Sequence, residues 1–202
     1  MRSVRAFLAI PLATPLQNTI ASVQQDLSGT LPGVRWTRPE TIHLTLRFFG
    51  TSSADDLEKI RASMLSVTLS ENPFQVDVAG LGAFPDRHRP RVLWLGLIPQ
   101  EPLLSLFRSC EQELGRNGVT AEARPFAPHL TIGRSRERGP DLSRLLSAYA
   151  GRVFGQLPVE QLVLFESRLH PGGAEHIPLF TAPLRRGDQL TNRTPQEGRD
   201  HG

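Results

Sequence analysis

Cysteine is almost absent from this chain of 202 residues, because Cys110 is the only one. A single thiol excludes a disulfide bond within the chain and a metal cluster built on several thiolates. Proteins without disulfide bonds are typical of reducing compartments, so we expect a cytoplasmic protein. No apolar run reaches the roughly 18 residues that a membrane-spanning helix needs, and no such helix is predicted.

Lysine is also scarce, since Lys59 is the only lysine among 23 basic residues and the others are arginines. Arginine carries a planar guanidinium that binds phosphate through two hydrogen bonds and stacks on bases. The net charge of +3 fits an anionic substrate without requiring one. Genome composition could equally explain the arginines, so they indicate no function by themselves.

The N-terminus carries Arg2 and Arg5 ahead of a short apolar stretch over residues 7–10. A signal peptide has this order of charge and hydrophobicity, but the stretch ends at Pro11 without a convincing cleavage site. We therefore predict a first β-strand here. The length of the chain suits one domain, or two small lobes that share a core.

The strongest pattern is a segment that occurs twice. Residues 38–45 read Arg-Pro-Glu-Thr-Ile-His-Leu-Thr, residues 124–131 read Arg-Pro-Phe-Ala-Pro-His-Leu-Thr, and five of the eight positions are identical. The apolar alternation in each copy predicts a half-buried strand. Side chains two apart share a face, so each strand presents a histidine with a threonine. These pairs are His43 with Thr45 and His129 with Thr131.

A structural explanation of the repeat is a duplicated element that happens to retain a buried histidine. One His-x-Thr tripeptide would carry little weight. Two copies at the same spacing after Arg-Pro are hard to assign to core packing, because packing has no preference for imidazole. The repeat therefore favours a functional site.

Two His-x-Thr motifs in chain halves of similar size resemble the 2H phosphoesterase superfamily. The surrounding sequence is similar to its RNA 2′,3′-cyclic phosphodiesterase branch, also called 2′-5′ RNA ligases. The similarity includes residues 5–10, 84–96 and 165–167 and covers about residues 3–184. It implies an α+β, bilobal fold: two lobes of mixed or antiparallel sheet with flanking helices, related by a pseudo-twofold axis around a central cleft.

The domain organisation follows from this resemblance and from composition. We predict a single bilobal domain over residues 1–184 and a disordered tail over 185–202, which has almost no apolar residue. Helices are predicted after a cap at Thr14, from Ser53 with Asp56, over 101–115, and from 141. Strands are predicted over residues 4–12, 34–36, 42–50, 74–81, 91–98, 129–135, 156–169 and 175–183.

The resemblance implies hydrolysis of a 2′,3′-cyclic phosphate, which needs a base on one side of phosphorus and an acid on the other. Two imidazoles on opposing walls can supply both, because the ordinary histidine pKa of about 6.5 allows one neutral and one charged ring. By resemblance His43 is the acid and His129 the base, although the residues alone do not divide the roles. Thr45 and Thr131 would donate hydrogen bonds to non-bridging phosphate oxygens.

The expected product is a 2′-phosphomonoester, and the reverse reaction would form a 2′-5′ bond weakly. No cofactor or metal is expected, because His88, His170 and His176 lack the spacing of metal ligands.

Arg134 lies five residues after His129, which matches the family's H-x-T-x-x-R pattern and makes it a candidate phosphate contact. The corresponding residue of the first motif is Phe48. Strand alternation predicts Arg47 on the face of His43 but puts Arg134 on the face opposite His129. A bulge at Gly133, the long reach of Arg134 and a structural role remain open explanations.

Further substrate contacts are predicted outside the two motifs. Phe48, Phe84 and Trp36 could stack a base, although each is also a natural core residue. Arg91 begins a predicted strand and could contact a phosphate.

We favour a monomeric, metal-independent phosphodiesterase that acts on RNA ends with a 2′,3′-cyclic phosphate and does not bind a membrane. One alternative is a phosphodiesterase for a small cyclic phosphate, such as a cyclic nucleotide or an ADP-ribose cyclic phosphate. Another is a non-catalytic RNA- or nucleotide-binding protein of the same fold. Two titratable imidazoles argue against the latter, because binding alone does not require them.

Overall fold

The computed structural model describes residues 3–135, 139–170 and 173–185. The predicted tail lies outside the described residues except for its first residue, and the predicted domain boundary stays a prediction. The elements in chain order are β1 (Val4–Pro11), α1 (Thr14–Ser28), β2 (Val34–Trp36), a 3₁₀ turn (Pro39–Thr41), β3 (His43–Ser52), α2 (Ala54–Ser70), β4 (Phe74–Phe84), β5 (Val92–Ile98), α3 (Glu101–Arg116), β6 (His129–Ser135), α4 (Ser143–Ala148), β7 (Val153–Val159), β8 (Gln161–His170) and β9 (Gly173–Pro183).

Within the described residues, nine strands form one sheet whose pairings are antiparallel. The order is β7-β4-β5-β6-β3-β1-β8-β9, and β2 pairs with β6. We call β3, β1, β8 and β9 the first lobe, and β6, β5, β4 and β7 the second lobe. The two motif strands are neighbours at the centre, as the predicted bilobal α+β fold requires.

The lobes meet where Leu44 of β3 pairs with Leu130 of β6. Both leucine side chains are fully buried. Successive residues of a strand point to opposite faces of the sheet, so burying these two leucines turns the flanking motif side chains to the other face. The same register places residue 43 opposite 131 and residue 45 opposite 129. This junction, which we call the seam, therefore brings both motifs together.

Two helices begin close to where the sequence predicts. In α1, Ala13 is the cap residue and Thr14 already lies in the helix, so the predicted cap is wrong by one residue. The apolar residues of α1 recur with helical period and are buried, which fixes the helix against the sheet. In α2, the Ser53 side chain accepts from the Asp56 backbone, and Asp56 accepts from the Ser53 backbone. The predicted capping start of this helix is confirmed.

The predicted single strand over residues 156–169 is wrong. It is divided at Glu160 into β7, which pairs with β4, and β8, which pairs with β1 and β9. The chain passes from the second lobe to the first at this point. Apolar residues continue on both sides of the break, because both strands bury side chains in one core, and the composition therefore hides the crossing.

Replacing Leu130 by alanine tests the seam. We expect the free energy of unfolding to fall by about 2–5 kcal/mol, because a packed side chain is removed from a site that cannot collapse easily. Urea denaturation followed by circular dichroism measures it. The control is Leu69→Ala on α2, where 63% of the side chain is exposed and a change within about 0.5 kcal/mol is expected. Equal losses would contradict the role of the seam.

Candidate active site

One cavity of about 620 Å³ is lined by all four motif side chains, His43, Thr45, His129 and Thr131. We call it the cleft. Its volume lies within the roughly 300–1,000 Å³ of small-molecule sites. The structure thus brings together the two imidazoles and two hydroxyls that the sequence singled out. The rest of the wall includes the cations Arg35, Arg38 and Arg134 and the aromatic residues Phe7, Trp36 and Phe48.

Each motif histidine is oriented by the backbone carbonyl two residues before it. His43 Nδ1 donates to the Thr41 oxygen at 2.8 Å, and His129 Nδ1 donates to the Ala127 oxygen at 2.7 Å. Because a carbonyl only accepts, Nδ1 carries a hydrogen in both rings. Each Nε2 therefore holds a lone pair when the ring is neutral and a proton when it is charged. Both rings are prepared for proton transfer at Nε2.

The electrostatics of His43 are unusual. Burial lowers the pKa of His43 to about 4, while the hydrogen bond to Thr41 acts in the opposite direction and nearby His176 and His129 lower it further. At neutral pH the ring is therefore uncharged in the empty cleft. An acid role for His43 requires a bound anion, because a negative charge close by favours the protonated form.

A β-bulge follows the threonine of the first motif. The pairing of β3 with β1 skips Leu46, and an extra residue in a strand reverses the face taken by the side chains after it. Arg47 is consequently buried, and Phe48 lines the cleft with 58% of its surface exposed. The prediction that Arg47 shares the face of His43 is wrong for this reason.

The second motif carries a bulge at the equivalent position. The pairing of β6 with β5 skips Ile132, and Arg134 lines the cleft together with His129. Of the three explanations left open by the sequence, a bulge beside Gly133 is the one observed. A side chain on Gly133 would collide with Val34, because a Cβ there would lie 2.7 Å from its Cγ1. Glycine is therefore needed where β2 packs over the bulge.

Gln24 of α1 stabilises the second bulge, a role that the sequence did not predict. Its side-chain Nε2 donates to the Ile132 oxygen at 2.8 Å and to the Thr37 oxygen at 2.7 Å. The Thr37 backbone N–H donates to the same Ile132 oxygen at 3.0 Å. The carbonyl displaced by the bulge is thus satisfied although it is buried. These bonds keep the backbone in the shape that aims Arg134 into the cleft.

Arg47 supports the second motif from the first motif strand. It forms an ion pair with Glu111 of α3 and donates to the Thr120 carbonyl. Glu111 also accepts from the Glu122 backbone N–H at 2.9 Å. These contacts fasten the irregular segment over residues 117–128, which leads directly to His129. Arg47 is therefore a structural residue of the site.

The remaining predicted contacts fall in different places. Phe84 is half-buried, and its ring meets His129 edge-on at 5.0 Å between ring centroids. It therefore stands against a motif histidine, and its proposed stacking role stays a prediction. Arg91 is exposed and lines a separate hollow with Pro90 and Leu93, so the structure does not bring it into the cleft.

His176 of β9 is the functional candidate that the sequence missed most clearly. Its ring lies edge-on to His43 at 5.0 Å between centroids, and it lines the cleft together with His170. Burial and the nearby Arg38 lower the pKa of His176. No local signal marks it, because β9 reaches His43 only through pairing with β8. The described residues contain no group of three or more His, Cys, Asp or Glu placed to hold a metal ion.

The sequence is similar to a known family and to known proteins. A family model described as LigT-like phosphoesterase matches residues 10–94 and 96–174. An RNA 2′,3′-cyclic phosphodiesterase of Methanothermobacter thermautotrophicus is 33% identical over 182 residues, which cover 88% of this chain and 95% of that protein. One from Archaeoglobus fulgidus is 31% identical over 170 residues, which cover 84% of this chain and 94% of that protein.

Solved structures share the fold. The crystal structure of TT0787 of Thermus thermophilus matches with a TM-score of 0.76 at 25% identity, covering 90% of this chain and 98% of that one. Escherichia coli LigT complexed with 3′-AMP matches with a TM-score of 0.72 at 23% identity, covering 92% of this chain and 100% of that one. The predicted fold class is confirmed.

The titration of His43 tests the electrostatics of the empty cleft. We expect its ring to titrate near pH 4 in NMR spectra of the ligand-free protein, and near 6.5 when unfolded. Between these values the unfolded chain binds more protons, so stability falls as the pH drops from about 6.5 towards 4. Denaturation at several pH values should show a shallower fall for His43→Gln. A ring that titrates near 6.5 in the folded protein would contradict the burial argument.

Proposed function

The chain belongs to the LigT-like phosphoesterase family, and we propose that it hydrolyses RNA ends carrying a 2′,3′-cyclic phosphate to 2′-phosphomonoesters. The observation that carries the proposal is one cleft lined by two carbonyl-oriented imidazoles and two threonines. Relatives named RNA 2′,3′-cyclic phosphodiesterase, similar over most of their length, support the choice of substrate.

In the proposed reaction His129 Nε2 takes a proton from water while the water oxygen attacks phosphorus. The bond from phosphorus to the 3′-oxygen breaks, and His43 Nε2 gives its proton to that oxygen. The anionic phosphate raises the pKa of His43 on binding, which allows the buried ring to carry the proton it will donate. Thr45, Thr131 and Arg134 stabilise the charge on the non-bridging oxygens.

The wall of the cleft beyond the motif residues favours an RNA end over a small cyclic phosphate as the substrate. Arg35, Arg38 and Trp36 extend the wall beyond the motif residues and offer cations and an aromatic face to a longer chain. We propose a monomer that acts in the cytoplasm, consistent with the buried, unpaired Cys110. Among the described residues, no helix is long and apolar enough to cross a membrane.

Alanine substitution of either motif histidine tests the catalytic pair. We expect His43→Ala and His129→Ala each to lower kcat by about 10²-fold or more, because each removes a proton-transfer group, while RNA binding is largely retained. The substrate is an RNA oligonucleotide with a 2′,3′-cyclic phosphate, and the position of the product phosphate is mapped by nuclease digestion. Wild-type activity should persist in EDTA, and its loss there would contradict the metal-independent mechanism.

The control for this experiment is His88→Ala. His88 lies in an exposed loop, where it pairs with Asp141 at 2.8 Å and does not line the cleft. We expect its activity to match the wild type. Full activity of either motif variant, or equal loss in all three, would contradict the assignment.

Substitution of Arg134 tests the phosphate contact. Arg134→Ala should lower kcat/KM by about 10–100-fold, because a charge-assisted hydrogen bond contributes roughly 1.5–3 kcal/mol. Arg134→Lys should recover only part of the loss, since an ammonium cannot bind phosphate through a planar fork. Steady-state kinetics on the same RNA give the numbers. Arg91→Ala, which alters an exposed arginine outside the cleft, is the control and should behave as wild type.

A further inference from the structure

A second cavity of about 220 Å³ opens beside His43, and we call it the side pocket. It shares Arg38, Thr41, Ile42, His43 and His176 with the wall of the cleft. Of the two motif histidines, only His43 lines it. The two cavities therefore adjoin on the His43 side of the cleft and not on the His129 side.

The side pocket has the size and walls for a flat ring system. Its volume is below the roughly 300–1,000 Å³ of pockets for drug-sized ligands, so it suits one part of a nucleotide and not the whole. Leu12, Ile42 and Phe165 provide apolar surface, and the His176 ring borders the opening to the cleft. Apolar and aromatic walls are what a nucleobase needs on its faces.

We propose that the side pocket holds the nucleobase of the terminal nucleoside, the one that carries the cyclic phosphate. This inference rests on the proposed function. His43 donates its proton to the 3′-oxygen of that nucleoside, so its ribose lies on the His43 side of phosphorus. The base is attached to the same ribose and meets the pocket that opens on that side.

The side pocket carries two carboxylates beside one guanidinium, Arg38, which already donates to a backbone carbonyl. Glu40 and Glu175 line the pocket, and each engages one oxygen in a pair: Glu40 with Arg38 at 3.8 Å and Glu175 with His170 at 3.2 Å. A carboxylate offers about four acceptor sites, so both retain capacity for a ligand. Gln17 also lines the pocket, and its Nε2 donates to the Leu12 oxygen at 2.9 Å, which orients the amide.

A pocket with two carboxylates favours bases with an exocyclic amino group. Adenine, cytosine and guanine each carry one, whereas uracil carries two carbonyl oxygens and no amino group. A carboxylate can accept from the amino group but repels a carbonyl, so terminal uridine should be disfavoured. Both carboxylates are more than half exposed, which limits the preference to about fivefold to tenfold in kcat/KM.

The experiment compares four RNA dinucleotides that share a 5′ uridine and end in A, C, G or U with a 2′,3′-cyclic phosphate. We expect kcat/KM to be about fivefold to tenfold lower for the uridine end than for the other three. In Glu40→Gln and Glu175→Gln the gap should narrow, because a glutamine amide can also donate to the uracil carbonyl. Glu58→Gln, at an exposed position on α2, is the matched control and should keep the wild-type preference.

Two results would overturn the inference and leave the proposed function intact. One is hydrolysis of all four dinucleotides within about twofold of each other. The other is a gap between uridine and the other ends that stays unchanged in both Glu40→Gln and Glu175→Gln. Failure of the wild-type protein to hydrolyse any of the four would overturn the inference together with the proposed function.

Discussion

The pairing of Leu44 with Leu130 is the constraint on which the site depends. Each motif strand has a buried face and a face turned to the cleft, and the leucines occupy the buried face of both. Once they pair, the pleat places the histidine of one strand opposite the threonine of the other. The pairing of the two motif histidines with the two threonines in one cleft is therefore a consequence of core packing at the junction of the lobes. A one-residue slip in either strand would turn its motif into the core.

The two halves keep the same bulge but support it differently. In the first motif strand the residue after the bulge is Arg47, which turns inward and holds the segment before His129 through Glu111. In the second motif strand that position is Gly133, which leaves room for β2, while Gln24 satisfies the displaced carbonyl. The repeated backbone thus presents different side chains to the cleft, an aromatic ring from one half and a guanidinium from the other.

Because His43 is buried, its protonation state depends on whether an anion is bound in the cleft. The empty site keeps His43 neutral, because the ring is shielded from water and has other imidazoles as neighbours. A bound phosphate would favour the protonated ring, because it places a negative charge beside it. His176 packs against His43 and borders both the cleft and the side pocket. Chemistry at phosphorus and recognition of the attached base would then share one wall.

The sequence by itself determined the two motif strands, the capped start of α2, and the two pairs of histidine and threonine, because alternation and capping act within a few residues of chain. It also predicted the family and the α+β fold, which the comparisons confirm. Only the tertiary structure decided the face of Arg134, the burial of Arg47 and the place of His176. A bulge depends on how a strand pairs with its neighbours, and β9 meets His43 through long-range pairing. No local pattern encodes either, because both arise when distant segments pack together.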